Sequence, residues 1–401
     1  MSPVPGSRPT RATPAAPSTR AASWALMLGN FAIGCGVMAT PGALNDIVRS
    51  LRVSVAAGGQ LISVAAIVMA VGAPLMAAAV AGWDRRRLLT LALLWYAAGH
   101  ALSALMPGYA ALLPVRAITV LGAAVFTPQA AAAINVMAAP GERGRAITFI
   151  FIGWSLASVL GMPVSSFVGD SAGWRWAFVL VALLSGAAAV GVWRTLPDGI
   201  RPAALSMAAW RDTLAHPLLM GVVAVTALSA AGQFTLFSYF APYYREVLRA
   251  DATGVSVLFL WFGAFGLIGN VVLQRAVDRV GAARCVTLAL ALMAVSLLLW
   301  PLAASVPTMA LLATPWALGC FSSNSGQQAR LGAAAPALAP ALMALNTSAI
   351  YLGQAVGAAG GGAQLAASGF GGLHWAGLAW MLLAITLSLW LARRMKAFTH
   401  V

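Results

Sequence analysis

Twelve stretches of this chain are apolar over the length needed to cross a lipid bilayer, which constrains its fold more than any other feature. A helix crosses the hydrocarbon core in roughly 20 residues. Breaks at charged residues, Pro and Gly give candidate spans at 23–44, 57–81, 88–106, 111–138, 146–168, 175–193, 217–241, 255–273, 285–304, 308–326, 341–366 and 375–392. The chain therefore reads as an all-α membrane protein with 12 transmembrane helices. Composition agrees, because 61% of its residues are hydrophobic and 8% charged, against roughly 45–50% and 25% in soluble domains. An ordinary cytosolic globule is excluded.

Charge sets the topology. The net charge of +15 would suggest nucleic acid in a soluble protein, but here the basic residues fall in short clusters between apolar runs, so no nucleic-acid partner is expected. Arg and Lys divide 18 to 5 between the two sides, with Arg116 left inside a span. The excess marks the cytoplasmic face, which places both termini and the loop 194–216 inside the cell. Residues 1–22 hold five prolines and no apolar periodicity, the pattern of a disordered cytoplasmic tail. A second short cytoplasmic tail is expected at 393–401.

An internal repeat divides the spans. Gly72, Arg87, Thr90, Leu91, Ala92 and Leu93 recur at a common offset as Gly269, Arg284, Thr287, Leu288, Ala289 and Leu290. Both copies sit at a basic junction between two spans, so the halves share one orientation. The expectation is a six-helix half at 23–193, a linker at 194–216 and a second six-helix half at 217–392. Two parallel halves with a cavity between them are a transporter architecture.

Chemistry of other kinds has little to stand on. Cys35, Cys285 and Cys320 are odd in number and widely spaced, and the four histidines show no ligand spacing, so no disulfide framework, metal site or cofactor is expected. The segment SSNSG at 322–326 has no histidine near it in sequence, and short polar residues are ordinary in packed membrane helices. The chain is not expected to be an enzyme.

Several motifs together resemble the major facilitator superfamily. GAPLMAAAVAGWDRRRLL at 72–89 and GNVVLQRAVDRVGAAR at 269–284 are similar to the family's signature loop in its two copies. RAITVLGAAVFTP at 116–128 is similar to its span 4 arginine motif, and GWSLASVLGMP at 153–163 to its span 5 antiporter motif. GWRWAF at 173–178, TLFSYFAPYY at 235–244 and ALNTSAIYLGQAVGAAGGG at 344–362 resemble further family segments. The likeness covers roughly residues 23–392 and lies within the twelve-span drug:proton antiporter group, which includes arabinose-efflux-type permeases.

That resemblance implies alternating-access export of a small organic molecule across a bacterial inner membrane, by a monomer, with protons as the candidate coupling ion. It implies gating contacts at the two junction loops, from Asp84, Arg85 and Arg87 in one copy and Asp278, Arg279 and Arg284 in the other. Asn30, Arg116, Gln129, Gln233, Tyr239 and Gln354 are the polar groups placed to line a substrate cavity. Each has a plainer reading: Arg116 snorkels to the headgroups, Tyr239 anchors a span end, and the amides glue helices together.

One departure bears on energy coupling. None of the nine acids falls in the middle of a span, whereas many relatives carry a carboxylate in span 1 where this chain has Gly36, Val37 and Met38. Asp46 and Asp170, near the outer surface, and His100 in span 3 remain as coupling candidates. A facilitator that uses no protons is the first alternative. A transporter-like sensor or assembly partner, or an intramembrane enzyme, is a more distant one, and the short 194–216 loop and tails leave no room for a sensory domain.

Overall fold

The computed structural model describes residues 19–80, 82–139, 142–201 and 207–399; the side chains of residues 77, 78, 144, 207, 209, 274, 278, 337, 340 and 396–399 lie outside it. Among the described residues there are sixteen α-helices and no strand. The first part of the chain forms α1 (Thr19–Gly42), α2 (Leu44–Leu51), α3 (Val55–Ala79), α4 (Arg85–Leu105), α5 (Tyr109–Thr119), α6 (Leu121–Met137), α7 (Arg143–Ala172) and α8 (Trp174–Thr195). The short α9 (Met207–Leu214) follows. The rest forms α10 (Pro217–Phe237), α11 (Phe240–Glu246), α12 (Ala252–Val280), α13 (Ala282–Leu299), α14 (Val306–Ala334), α15 (Ala339–Ser368) and α16 (Leu373–Thr399).

Ten stretches are long and apolar enough to span a membrane. Two of them join a short and a long helix, α5 with α6 and α10 with α11, and one, Ala341–Met395, runs through both α15 and α16. The 29-residue α14 is as long as α12. Its second half carries Ser322, Ser323, Asn324, Gln327 and Arg330, which lowers its hydropathy. Counting α14 and separating α15 from α16 brings the rods to the twelve expected.

Local chemistry explains most boundaries. Asp84 accepts the backbone N–H of Arg87 at the start of α4, and Asp251 that of Gly254 at the start of α12. Such caps satisfy N–H groups that have no partner within the helix. Gly173 and Gly281 turn the chain between consecutive helices at φ 97° and 89°, a region in which a Cβ is strained. Several boundaries differ from the hydropathy reading, and residues 393–399, expected in the second tail, continue α16. Thr19–Ala22, expected in the tail, form the first turn of α1, while residues 1–18 lie outside those described. The seventh apolar run breaks at Tyr239, because Pro242 has no N–H to give the carbonyl of Ser238.

The buried apolar side chains form two clusters. One draws on residues 22–200, with Tyr351 packed against it. The other draws mainly on residues 219–391, joined by Met38 and Met162, and centres on the contacting rings of Phe237, Phe240, Phe262, Trp300 and Trp316. The clusters meet where α3 packs along α15 and α7 along α12. Matching positions of the repeat do matching work: Gly72 faces Leu121 of α6, and Gly269 faces the backbone of Leu318 in α14.

Candidate functional site

Arg116 lies two turns into the α5–α6 rod, buried at 2% exposure. Its Nη1 is 2.9 Å from Nε2 of His100 on α4, and its Nη2 donates to the carbonyl of Gly36 on α1 at 3.4 Å. The ring of Phe178 on α8 covers the guanidinium at 5.1 Å. Because a guanidinium only donates, His100 accepts at Nε2, and its Nδ1 then carries the hydrogen bonded to the carbonyl of Tyr96, 2.9 Å away. The neutral tautomer is thus fixed from both sides. Arg116 neither snorkels to a headgroup nor pairs with a carboxylate among the described residues.

The guanidinium borders a narrow cavity of about 20 Å³ between the two clusters, a space for one water. Val37 and Thr40 of α1 line it from the first half of the chain, and Tyr351 and Gln354 of α15 from the second. Nε of Arg116 and Oγ1 of Thr40 are both buried without a hydrogen-bond partner. Buried polar atoms are seldom left so. Two of the polar groups singled out in the sequence, Arg116 and Gln354, therefore share one cavity. Thr40 and Tyr351 were missed, since a lone Thr or Tyr in an apolar run carries no distinguishing signal.

The other candidates are placed differently. Asn30 donates to the carbonyl of Ile150 at 3.0 Å, tying α1 to α7. Gln233 accepts from Sγ of Cys320 at 3.0 Å, joining α10 to α14, and Gln129 is buried in α6. Tyr239 donates to the carbonyl of Ala358 at 2.6 Å. A polar cluster that sequence reading did not assemble joins α10, α14 and α15. In it Thr226 donates to Asn346, Asn346 donates to Asn324, and Gln327 donates to Thr226.

Asp46 and Asp170 hold the end of the molecule that carries α2 and α11. Asp46 accepts the first N–H of α8, from Trp174, at 2.7 Å and pairs with Arg49 at 2.6 Å. Asp170 at the end of α7 pairs with Arg245 of α11 at 2.8 Å, and Asn45 donates to the carbonyl of Ala241 at 3.0 Å. Both of the latter contacts join the first half of the chain to the second. Arg245→Asp should slow transport several-fold by opposing two carboxylates, and the exchanged pair Asp170→Arg with Arg245→Asp should recover most of it. Initial rates in proteoliposomes check this; an exchanged pair no better than the single variant would make the bridge incidental.

At the opposite end the contacts of the first junction loop include helix capping and backbone hydrogen bonds. Asp84 accepts from the backbone of Arg87 and of Gly199, and Arg85 donates to the carbonyls of Val80 and Trp83. Arg86, not singled out in the sequence, makes an ion pair here, with Asp198 at 2.8 Å, and lies over the ring of Trp193. These contacts bind α4 to the end of α8 within one half. The side chains of Arg87, Arg279 and Arg284 are exposed, and that of Asp278 lies outside the described residues. Among the described residues no cluster of His, Cys, Asp and Glu suits a metal ion.

Known proteins share this architecture. The chain is 29% identical over 343 residues to the inner membrane transport protein YdhP of Escherichia coli K12, covering 86% of this chain and 88% of that one. It is 27% identical over 369 residues to the uncharacterized MFS-type transporter YbcL of Bacillus subtilis 168, covering 91% and 94%. Among solved structures, the D-xylose-proton symporter superposes with a TM-score of 0.74 at 17% identity, covering 92% of this chain and 97% of that one. The human organic anion transporter MFSD10 gives 0.70 at 16% identity, covering 92% and 98%. The profile of the Major Facilitator Superfamily matches residues 26–250. The chain belongs to the major facilitator superfamily and is a multi-pass membrane transporter, not an enzyme.

Proposed function

We propose that this transporter exports a small organic solute from the bacterial cytoplasm by alternating access, with both termini and the 194–216 linker on the cytoplasmic face of the inner membrane. The observation that carries the reading is the cavity of Arg116, Thr40, Tyr351 and Gln354, to which both halves contribute. A site shared by two rigid halves is exposed to one side or the other as the halves rock, which is how such carriers work. In this conformer the halves are joined at the α2 and α11 end by Asp170–Arg245 and Asn45–Ala241. That end faces outward in the topology read from the charges.

The resemblance to drug:proton antiporters makes protons the first candidate for the driving ion, through Asp46, His100 or Asp170. A specific observation favours the proton-independent reading: no carboxylate lines the cavity. The two acids nearest in function are already committed to Trp174, Arg49 and Arg245. Purified protein in proteoliposomes, screened with labelled solutes with and without an imposed pH gradient, tests both. Uptake of at least one solute, unaccompanied by solute-driven proton flux, is the expected result. Proton flux in step with solute would establish antiport, and a chain that carries nothing would end the transporter reading of this cavity.

A further inference from the structure

We infer that the exported solute is an organic monoanion, recognised through its carboxylate by Arg116. The inference rests on the cavity being the transport site and names what that site takes. A guanidinium keeps its charge at any physiological pH, and burying an isolated charge is expensive unless something pairs with it. Arg116 is 2% exposed, and its neighbours are a neutral imidazole, a backbone carbonyl at 3.4 Å and a phenyl face. None of these neutralises it. The ion pairs of Arg49, Arg86 and Arg245 are made elsewhere.

The unused donors point the same way. Nη1 serves His100 and Nη2 spends one of its two N–H groups on the carbonyl of Gly36, but the Nε–H of Arg116 is buried without a partner, as is the hydroxyl of Thr40 on the same cavity. The Nε and Nη2 edge of a guanidinium is the fork that takes a carboxylate through two parallel hydrogen bonds. Gln354 and Tyr351 add an amide and a hydroxyl that are able to donate, and no acid is among the lining residues. One cation also sets the charge. A phosphate ester brings nearly two negative charges, and the lining supplies no second positive one. The apolar side chains of Val37, Leu61 and Met69 on the same cavity suit a hydrocarbon body attached to that carboxylate. The space of about 20 Å³ in this conformer holds one water, so the solute enters only when the two halves have parted around it.

Energy coupling then needs no titratable residue. Export of a monoanion moves one negative charge outward, and an inside-negative potential favours that by roughly fifty-fold in concentration per 100 mV. The missing span 1 acid and the unpaired arginine become two sides of one design.

The test is a matched panel on the purified full-length chain in detergent: hexanoate, hexanamide and hexylamine; benzoate, benzamide and benzylamine; lactate and lactamide, all at constant ionic strength. Thermal unfolding followed by tryptophan fluorescence reads binding, since a ligand of the folded state raises the midpoint. At least one carboxylate should raise it where its amide and amine do not, and Arg116→Met should erase the rise. Should Arg116→Met fail to accumulate, Thr40→Val and Gln354→Leu should each reduce the rise. Equal stabilisation by amides or amines, or a carboxylate effect that survives Arg116→Met, overturns the inference. A panel without any carboxylate effect, beside proteoliposome transport of a neutral or cationic solute, overturns it while leaving the transporter reading intact. If proteoliposomes carry no solute of any charge, the transporter reading itself fails and takes the inference with it.

Discussion

Arg116→Met is expected to lower transport by roughly 10- to 150-fold, the range of ~1.5–3 kcal/mol carried by a charge-assisted hydrogen bond, while the unfolding midpoint stays at or above that of the wild type. The two effects separate because the residue serves function at a structural cost. On the debit side of folding, the variant loses the bonds to His100 and Gly36 and leaves Nε2 of His100 without a donor, about 1–3 kcal/mol. In return it releases a buried, unpaired charge, which is worth several kcal/mol. Methionine matches the arginine stem in reach, so no large cavity opens beside Phe178. Arg116→Lys should keep part of the transport, because it preserves the charge but not the planar fork. Initial rates in proteoliposomes and melting curves of the same preparations check both halves of the expectation. Wild-type transport by Arg116→Met would make the arginine a structural residue. A protein that neither melts cooperatively nor transports would assign it to packing.

Hydropathy made the fold legible because a bilayer accepts few solutions. Backbone polar groups in hydrocarbon must be paired within the segment, so each apolar run of span length becomes a helix, as α3 and α13 did almost as drawn. Boundaries were less legible where the determinant was not apolarity. The break at Tyr239 depends on a missing N–H in Pro242, and α12 continues to Val280 through Arg275, Asp278 and Arg279, residues that a hydropathy boundary treats as loop. Charges beyond the membrane core cost a helix little.

The site was legible in part for a similar reason. A charge inside an apolar run is costly enough that its position alone marks it, and Arg116 was visible on that ground. Its setting was not. His100, Gly36 and Phe178 come from three other helices, and nothing in linear spacing brings 100 beside 116 or 354 beside 40. The amides of Asn30 and Gln233 look the same in sequence as that of Gln354, yet two bind neighbouring helices and one faces the cavity. Helix rotation decides between these fates, and an all-apolar helix in a membrane gives no amphipathic stripe from which to read it.

Gly59→Leu is expected to stop the transport cycle by preventing closure at the α2 and α11 end, and Tyr239→Ala is expected to restore part of the cycle in the double variant. A Cβ at residue 59 would collide with the hydroxyl of Tyr239, so no side chain fits there without movement. That hydroxyl cannot easily yield: it is held by the carbonyl of Ala358 at 2.6 Å, and Gly362 leaves room for it from the other side. A leucine would therefore wedge α3 away from α10 and α15, separating the halves where Asn45–Ala241 and Asp170–Arg245 join them. Removing the ring makes space for the leucine, at the cost of one neutral hydrogen bond, about 0.5–1.5 kcal/mol, and of the packing of a fully buried ring, which the leucine replaces only in part. In a background with Cys35, Cys285 and Cys320 replaced, Asn45→Cys should react faster with a membrane-impermeant maleimide in Gly59→Leu than in its parent. The double variant should return toward the parent rate. If Gly59→Leu transports normally, the contact does not close the carrier. If Tyr239→Ala fails to relieve Gly59→Leu in both transport and labelling, the obstruction lies elsewhere than between these two side chains.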